Sequence, residues 1–178
     1  YVTVNDANDI DSGANNLLNF PVFESIAVSG GNLVLKGCAP AGASIELFEA
    51  DVSPGKAVSV GSNTNAPRTL DYGEGQTYLA TLTEGVSDTD SGTNCPALDG
   101  NDQTGMSRFA FSIALPSGVA VGDLLTTTAT VSSNTSEFSP VVRASNAPTL
   151  TKTFNPASII AGQNSLLTIT LANSNTVA

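Results

Sequence analysis

Asp and Asn crowd two stretches of this chain, and their side-chain oxygens are the groups in it best suited to chemistry. Between Tyr1 and Phe20 they fall at Asn5, Asp6, Asn8, Asp9, Asp11, Asn15 and Asn16. Oxygens at closely alternating positions, with Gly13 to admit a sharp turn, are what a hard cation such as Ca²⁺ requires. The twelfth-position Glu of an EF-hand loop is missing, and Asn/Asp runs are also ordinary turn formers, so a solvated connector stands as the alternative. A second stretch, Ser87 to Gly105, repeats the composition. The candidate Ca²⁺ ligands are therefore Asp6, Asp9 and Asp11 in the leading loop, and Asp88, Asp90, Asp99 and Asp102 in the later insertion.

Other chemistries find less support. Histidine is absent, which removes the usual triad base and the commonest zinc ligand. A carboxylate pair for glycoside cleavage is conceivable among Asp71, Glu74, Asp88 and Asp90, but such pairs need burial and opposed environments that polar loops rarely supply. Ser–Lys chemistry through Lys36 or Lys56 has no supporting motif. An isopeptide crosslink would need Lys36 or Lys152 buried beside an Asn and a carboxylate, whereas Lys in a strand more often faces water. The chain reads as non-enzymatic. Cys38 and Cys95 lie too far apart for a short metal-binding or redox spacing. Paired, they would close a loop of roughly 60 residues, worth about 4 kcal/mol on the loop-entropy model. Both fall near predicted strand ends in a chain that otherwise reads as extracellular, so a disulfide is expected, with two separate thiols as the alternative.

The elements that position these residues are strands. Aromatic residues make up 6% and charged residues 12% of the chain, Ser, Thr, Asn, Gly and Ala dominate, and periodic runs of helix formers are missing, so the fold class is all-β. The clearest strand is Arg108 to Leu115, with Phe109, Phe111, Ile113 and Leu115 on one face at period two. Val22 to Val28, Asn32 to Cys38, Ala43 to Ala50, Gln76 to Thr83 and Leu124 to Ser133 carry further strand signals, the third with Ile45 and Leu47 inward against Glu46 and Phe48. Ser136 to Arg143 contains Pro140 and is expected at an edge or interrupted. Seven short strands between turn signals point to an immunoglobulin-like antiparallel sandwich.

This gives an expected organisation of a leading strand and connector over 1–20, a sandwich over 21–144, a linker over 145–148, and over 149–178 the first strands of a second sandwich or strands donated elsewhere. Leu167, Ile169 and Leu171 alternate with Thr168 and Thr170, an apolar row that needs a cover. Together with Lys152 they are the candidate assembly residues, against neighbouring domains or further copies of the same protein. Sixteen acidic against six basic residues, a net charge of −10, leave no basic patch for nucleic acid. No apolar run is long enough to span a membrane in this segment. The chain starts at Tyr1 without Met and stops in mid-pattern at Ala178, so a processed or excised piece of something longer is expected.

Several phrases carry a resemblance. Asn5 to Val22 is similar to the segment that follows parallel β-helix regions in large bacterial secreted or surface proteins, and Gly73 to Leu79 and Asn134 to Ser139 are similar to the Ig-like module that comes next in them. Thr149 to Ala172, with Lys152-Thr-Phe-Asn-Pro156 and Gly162 leading to Ser165-Leu-Leu-Thr-Ile-Thr-Leu171, resembles the start of a DUF11-type surface repeat. The resemblance implies an exported, repetitive surface or matrix protein at the bacterial cell surface, with no catalytic residues. It departs from the pattern at the insertion 86–105 with Cys95, where a short hairpin would be expected. The function expected is a structural or assembly module, able to polymerise head to tail into filaments. The alternative is a glycan- or ligand-binding adhesin using loops 51–75 and 86–105, with Tyr1, Tyr72 and Tyr78 as its stacking aromatics.

Overall fold

Side chains that alternate between apolar and polar can share one face with a second sheet, and the strands form where that alternation is strongest. The computed structural model describes residues 2–51, 72–90, 92–97 and 101–175. Within them the strands are β1 (Val22–Ser29), β2 (Asn32–Ala39), β3 (Ser44–Asp51), β4 (Glu74–Thr83), β5 (Ser107–Ala114), β6 (Leu124–Val131), β7 (Asn134–Thr135), β8 (Val142–Arg143), β9 (Ser145–Asn146), β10 (Thr149–Asn155) and β11 (Leu166–Ala172). One sheet runs β5-β2-β1-β9 and the other β4-β3-β6-β7, with β8 also on β6. Pairing is antiparallel except at β9, which lies parallel to β1 through Ala27–Ser145 and Val28–Asn146. The chain is all-β, with two sheets packed face to face as a sandwich.

Between the sheets lie Leu33 and Leu35 of β2, Phe109 and Phe111 of β5, Ile45 and Leu47 of β3, and Leu125 and Ala129 of β6. Each large apolar side chain buried this way contributes about 1.5–3 kcal/mol gross. Phe109 meets Phe23 edge-on at 5.9 Å and stacks on Phe111 at 5.3 Å. The Phe109 ring fits because position 37 is glycine: a Cβ there would stand 2.7 Å from that ring and 2.3 Å from the Val22 carbonyl. β5 is nonetheless the edge of its sheet. Ile113 and Leu115, expected in the core beside the two phenylalanines, are only half-buried at its open end. A smaller cluster of Phe20, Val22 and Tyr72 packs separately, with Tyr72 edge-on to Phe20 at 5.7 Å.

One strand expectation is refined by the structure and another is met. Phe48 keeps the expected face, opposite Ile45 and Leu47, but it is half-buried there, packed edge-on against Tyr78 at 5.9 Å and Phe138 at 5.6 Å. The stretch 136–143 is interrupted, as Pro140 led one to expect. Ser136 and Ser139 donate backbone amides to Ala129 and Thr127, both at 2.8 Å. Their hydroxyls accept the return amides, from Ala129 at 2.9 Å and Thr127 at 3.1 Å. Serine side chains thus complete the ladder along β6, and Pro140 bridges to Tyr72.

β10 and β11 form a separate two-stranded ribbon, in register from Thr149–Ala172 to Asn155–Leu166. Directly paired residues share a face, so Leu150, Leu171, Ile169, Phe154 and Leu167 line one side together with Lys152, which stands opposite Ile169, and the threonines line the other with Asn155, Leu166 and Ala172. All residues of both strands are exposed.

Candidate metal centre

The leading segment is held to the sandwich by asparagine side chains that imitate a neighbouring strand. Asn5 donates through Nδ2 to the Phe20 carbonyl at 2.7 Å and accepts the Phe20 amide at 2.9 Å. Asn19 does the same for Asp6, accepting its amide at 3.0 Å and donating to its carbonyl at 2.8 Å. Both asparagines are 3% exposed, so these bonds form away from water, where leaving a partner unpaired is costly. The two brackets close the loop 7–18 at its neck. On its other side the segment meets residues 101–106, with the Asp102 amide on the Asn5 carbonyl at 3.1 Å and the Asn8 amide on the Thr104 carbonyl at 2.7 Å. Gly105, at φ 90°, sits so close that a Cβ would lie 2.7 Å from Asn8 Oδ1.

Inside that neck Asp6, Asp9 and Asp11 converge, each offering a carboxylate oxygen within 4.8 Å of the others. Two oxygens at Ca²⁺–O distances of roughly 2.3–2.6 Å on opposite sides of one ion stand about that far apart. Asn8 (φ 60°) and Asp9 (φ 53°) take the left-handed conformation that Asn and Asp tolerate best, which turns the chain tightly enough to bring the three together. Asp9 Oδ1 is engaged by the Asn19 amide at 2.8 Å. Oδ1 of Asp6 and Oδ1 of Asp11 are shut off from solvent and accept no hydrogen bond. Burial first, then the charges of Asp6 and Asp9, hold the Asp11 carboxyl above its ordinary value of 3.8. Three carboxylates with two unfilled inward oxygens can hold a metal ion; the donor set is all oxygen and suits a hard cation. A cleft of about 160 Å³ lined by Asp9, Asn19, Thr104 and Met106 adjoins them.

The remaining candidate ligands are placed elsewhere. The Thr104 hydroxyl first, and then the Thr104 amide at 2.9 Å, hold the Asp102 carboxyl below its ordinary value, and Asp102 stands outside the three-carboxylate group. Asp88 and Asp90 lie along β5: Asp88 Oδ1 accepts the Ala110 amide at 2.7 Å and the Asp90 amide at 2.9 Å. Asp90 pairs with Arg108 Nε at 3.0 Å. Arg108 also clamps Glu24, through Nη1 and Nη2 at 2.6 Å each, and reaches the Asn94 carbonyl at 3.3 Å. The Arg108 guanidinium beside Asp90 holds that carboxyl below 3.8, the direction opposite to a general acid. Asp99 and Asp71 lie outside the described residues.

This part of the insertion covers the edge of β5. The Thr89 amide binds the Ala110 carbonyl at 3.1 Å and the Arg108 amide the Gly92 carbonyl at 2.7 Å. The expected disulfide is present: Cys95 joins Cys38, with Cα atoms 6.1 Å apart. An uncovered β5 would offer unpaired amides to any passing strand, and the insertion takes that place.

Of the other candidates, Lys36 is exposed, so it lacks the buried setting an isopeptide bond needs. Lys152 is exposed as well, its ammonium 5.2 Å from the Phe154 ring centre. Tyr72 is 2% exposed and cannot stack on a ligand; Tyr78 is 55% exposed, with its hydroxyl 2.8 Å from that of Thr81. Residues 52–71, the bulk of one expected binding loop and the home of Lys56, lie outside the described residues, as does Tyr1. The asparagine brackets and the Arg108 clamp were not foreseen, and only the isolation of Arg108 among so many acids signals them in the sequence. No protein-family model matches the chain, and no curated protein matches it.

Proposed function

We propose that this chain is a non-catalytic structural and assembly module of an extracellular bacterial surface or matrix protein, with an immunoglobulin-like sandwich braced at its N-terminal loop by a bound hard cation, Ca²⁺ by its oxygen donors. The observation that carries the reading is where the polar chemistry is spent. Asn5 and Asn19 tie the leading segment down, and Asp88, Asp90 and Arg108 tie the insertion to a sheet edge. Even the Asp6, Asp9 and Asp11 group lies in the neck of a loop, where an ion would stiffen the chain. An oxidising surroundings suits the disulfide, and the short surface-protein phrases quoted above agree with it.

Native-state amide exchange tests the brace. Residues 5–8, 19–20, 88–92 and 101–106 are expected to exchange nearly as slowly as β2 and β5, and the first of these to slow further with Ca²⁺. Free exchange of all four segments overturns the reading. So does turnover of a substrate that is lost in Asp11→Asn or Asp90→Asn. A saturable glycan interaction lost with Tyr78→Ala would replace the module by an adhesin.

A further inference from the structure

We infer that the open edge of β4 is an acceptor for β11 of a second copy of this chain, so that copies join head to tail; this rests on the assembly reading above. The two sheets present β4 and β5 on one side of the sandwich, where a groove of about 240 Å³ lies between them at the Thr81–Thr83 end of β4, lined by Leu82, Val86, Phe111 and Ile113 among threonine and serine side chains. The two edges are treated differently. β5 is covered by residues 88–90 and by Gly92, and the insertion is pinned by a disulfide. β4, the longest strand, pairs with β3 on one side and, among the described residues, with no strand on the other. Edge strands are usually protected by charge, proline or a cover. β4 contains no proline, and its one charged residue is Glu74 at the start.

The donor is in the same chain. β11 alternates Leu167, Ile169 and Leu171, which are 44%, 61% and 72% exposed, with threonines, the pattern that lets an added strand bond an edge through its backbone and drop every second side chain into a groove. Charge selects a copy as the occupant. Molecules of net charge −10 repel one another, but β11 is uncharged, the one charge on the ribbon is the positive Lys152 opposite Ile169, and β4 carries only Glu74 at its start, so here two copies meet without that penalty. The ribbon's apolar face offers on the order of 500 Å², and with the acceptor surface it covers this reaches the roughly 1,000 Å² of a specific interface. The pairing is heterologous, so it leaves a free donor and a free acceptor at the two ends and propagates.

Sedimentation of the full chain tests this with two variants: Ile169→Lys spoils the donor, and Thr81→Lys with Thr83→Lys puts charge on the acceptor at exposed positions. Wild type is expected to grow in mass with concentration up to about 100 µM. Each variant alone stays monomeric, and their equimolar mixture gives dimers of about twofold mass and no larger species, because each folded variant supplies what the other lacks. Wild-type-like assembly of the acceptor variant overturns the β4 assignment and leaves the module reading standing; this is also the outcome if ribbons pair with each other. A monomeric wild type overturns the self-association altogether, while the exchange test above still decides the brace.

Discussion

Asp11 and Asp90 are both carboxylates beside other charges, yet their surroundings drive them in opposite directions, and each gives a signed prediction. Asp11 is raised by burial and by Asp6 and Asp9, so the folded chain holds that proton more tightly than the unfolded one. Without a cation, stability therefore falls as pH rises from 3.8 through the raised value. A cation reverses this by neutralising the cluster. Calorimetry with Ca²⁺ and with chelator is expected to separate the melting temperatures, by about 2.7 kcal/mol of stability at a hundred times Kd. Asp11→Asn is expected to raise the metal-free melting temperature at neutral pH and remove the Ca²⁺ response; an unchanged wild-type melt in chelator would mean no ion is held. Asp90 is lowered, chiefly by Arg108, so its contribution is complete above 3.8 and is lost as pH falls through the lower value. Amide exchange at Gly92 and Arg108 is expected to quicken in acid on that account, and Asp90→Asn to remove the pH dependence. Asn5 is a cruder case. Asn5→Ala leaves the Phe20 amide and carbonyl buried without partners, and a loss of about 2–4 kcal/mol is expected from denaturant unfolding.

At the scale of elements, the insertion and β5 depend on each other. Cys38 and Cys95 are 57 residues apart, so opening the disulfide in a Cys38→Ala, Cys95→Ala chain is expected to cost about 4 kcal/mol through the unfolded state. The sharper readout is local: Arg108 and Ala110, whose amides face the insertion, should lose exchange protection first. Uniform loss across β2 and β5 would show that the insertion is no separate cover. The strands themselves were legible in the sequence because period two is a local signal, and β2, β5 and β6 fall within a residue or two of the positions that Leu33, Phe109 and Thr127 mark. Phe48 keeps the period, but its cover by Tyr78 and Phe138 was not legible, because those rings come from a partner strand and from a segment 90 residues away. The same limit applies to the site. Asp6, Asp9 and Asp11 are legible as neighbours in sequence, whereas the ties from Asn5 to Phe20 and Asn19 to Asp6 join residues 15 and 13 apart, and the fate of Asp90 depends on an Arg and a Glu in two other strands.

For the whole molecule the question is whether the ribbon belongs energetically to the sandwich. Ordering the two seven-residue strands costs about 1–2 kcal/mol per residue, and with every ribbon residue exposed there is little burial to offset it. Two strands alone are marginal in water. Among the described residues, hydrogen bonds between Asn175 and Asn146 fasten the ribbon's near end to the sandwich, with the Asn146 amide on Asn175 Oδ1 and Asn175 Nδ2 on the Asn146 carbonyl at 2.9 Å. A chain ending at Ala147 is therefore expected to melt within about 2–4 °C of the full chain, the shift that roughly 1 kcal/mol produces at this size. In the full chain, the amides of Thr151 to Asn155 and Leu167 to Leu171 are expected to exchange freely in dilute solution and become protected as concentration rises. Protection that is already complete in dilute monomer, or a drop of ten degrees or so on truncation, would place the ribbon's stabilising partner within the same chain, and the apolar row of Leu167, Ile169 and Leu171 would then be covered without a second copy.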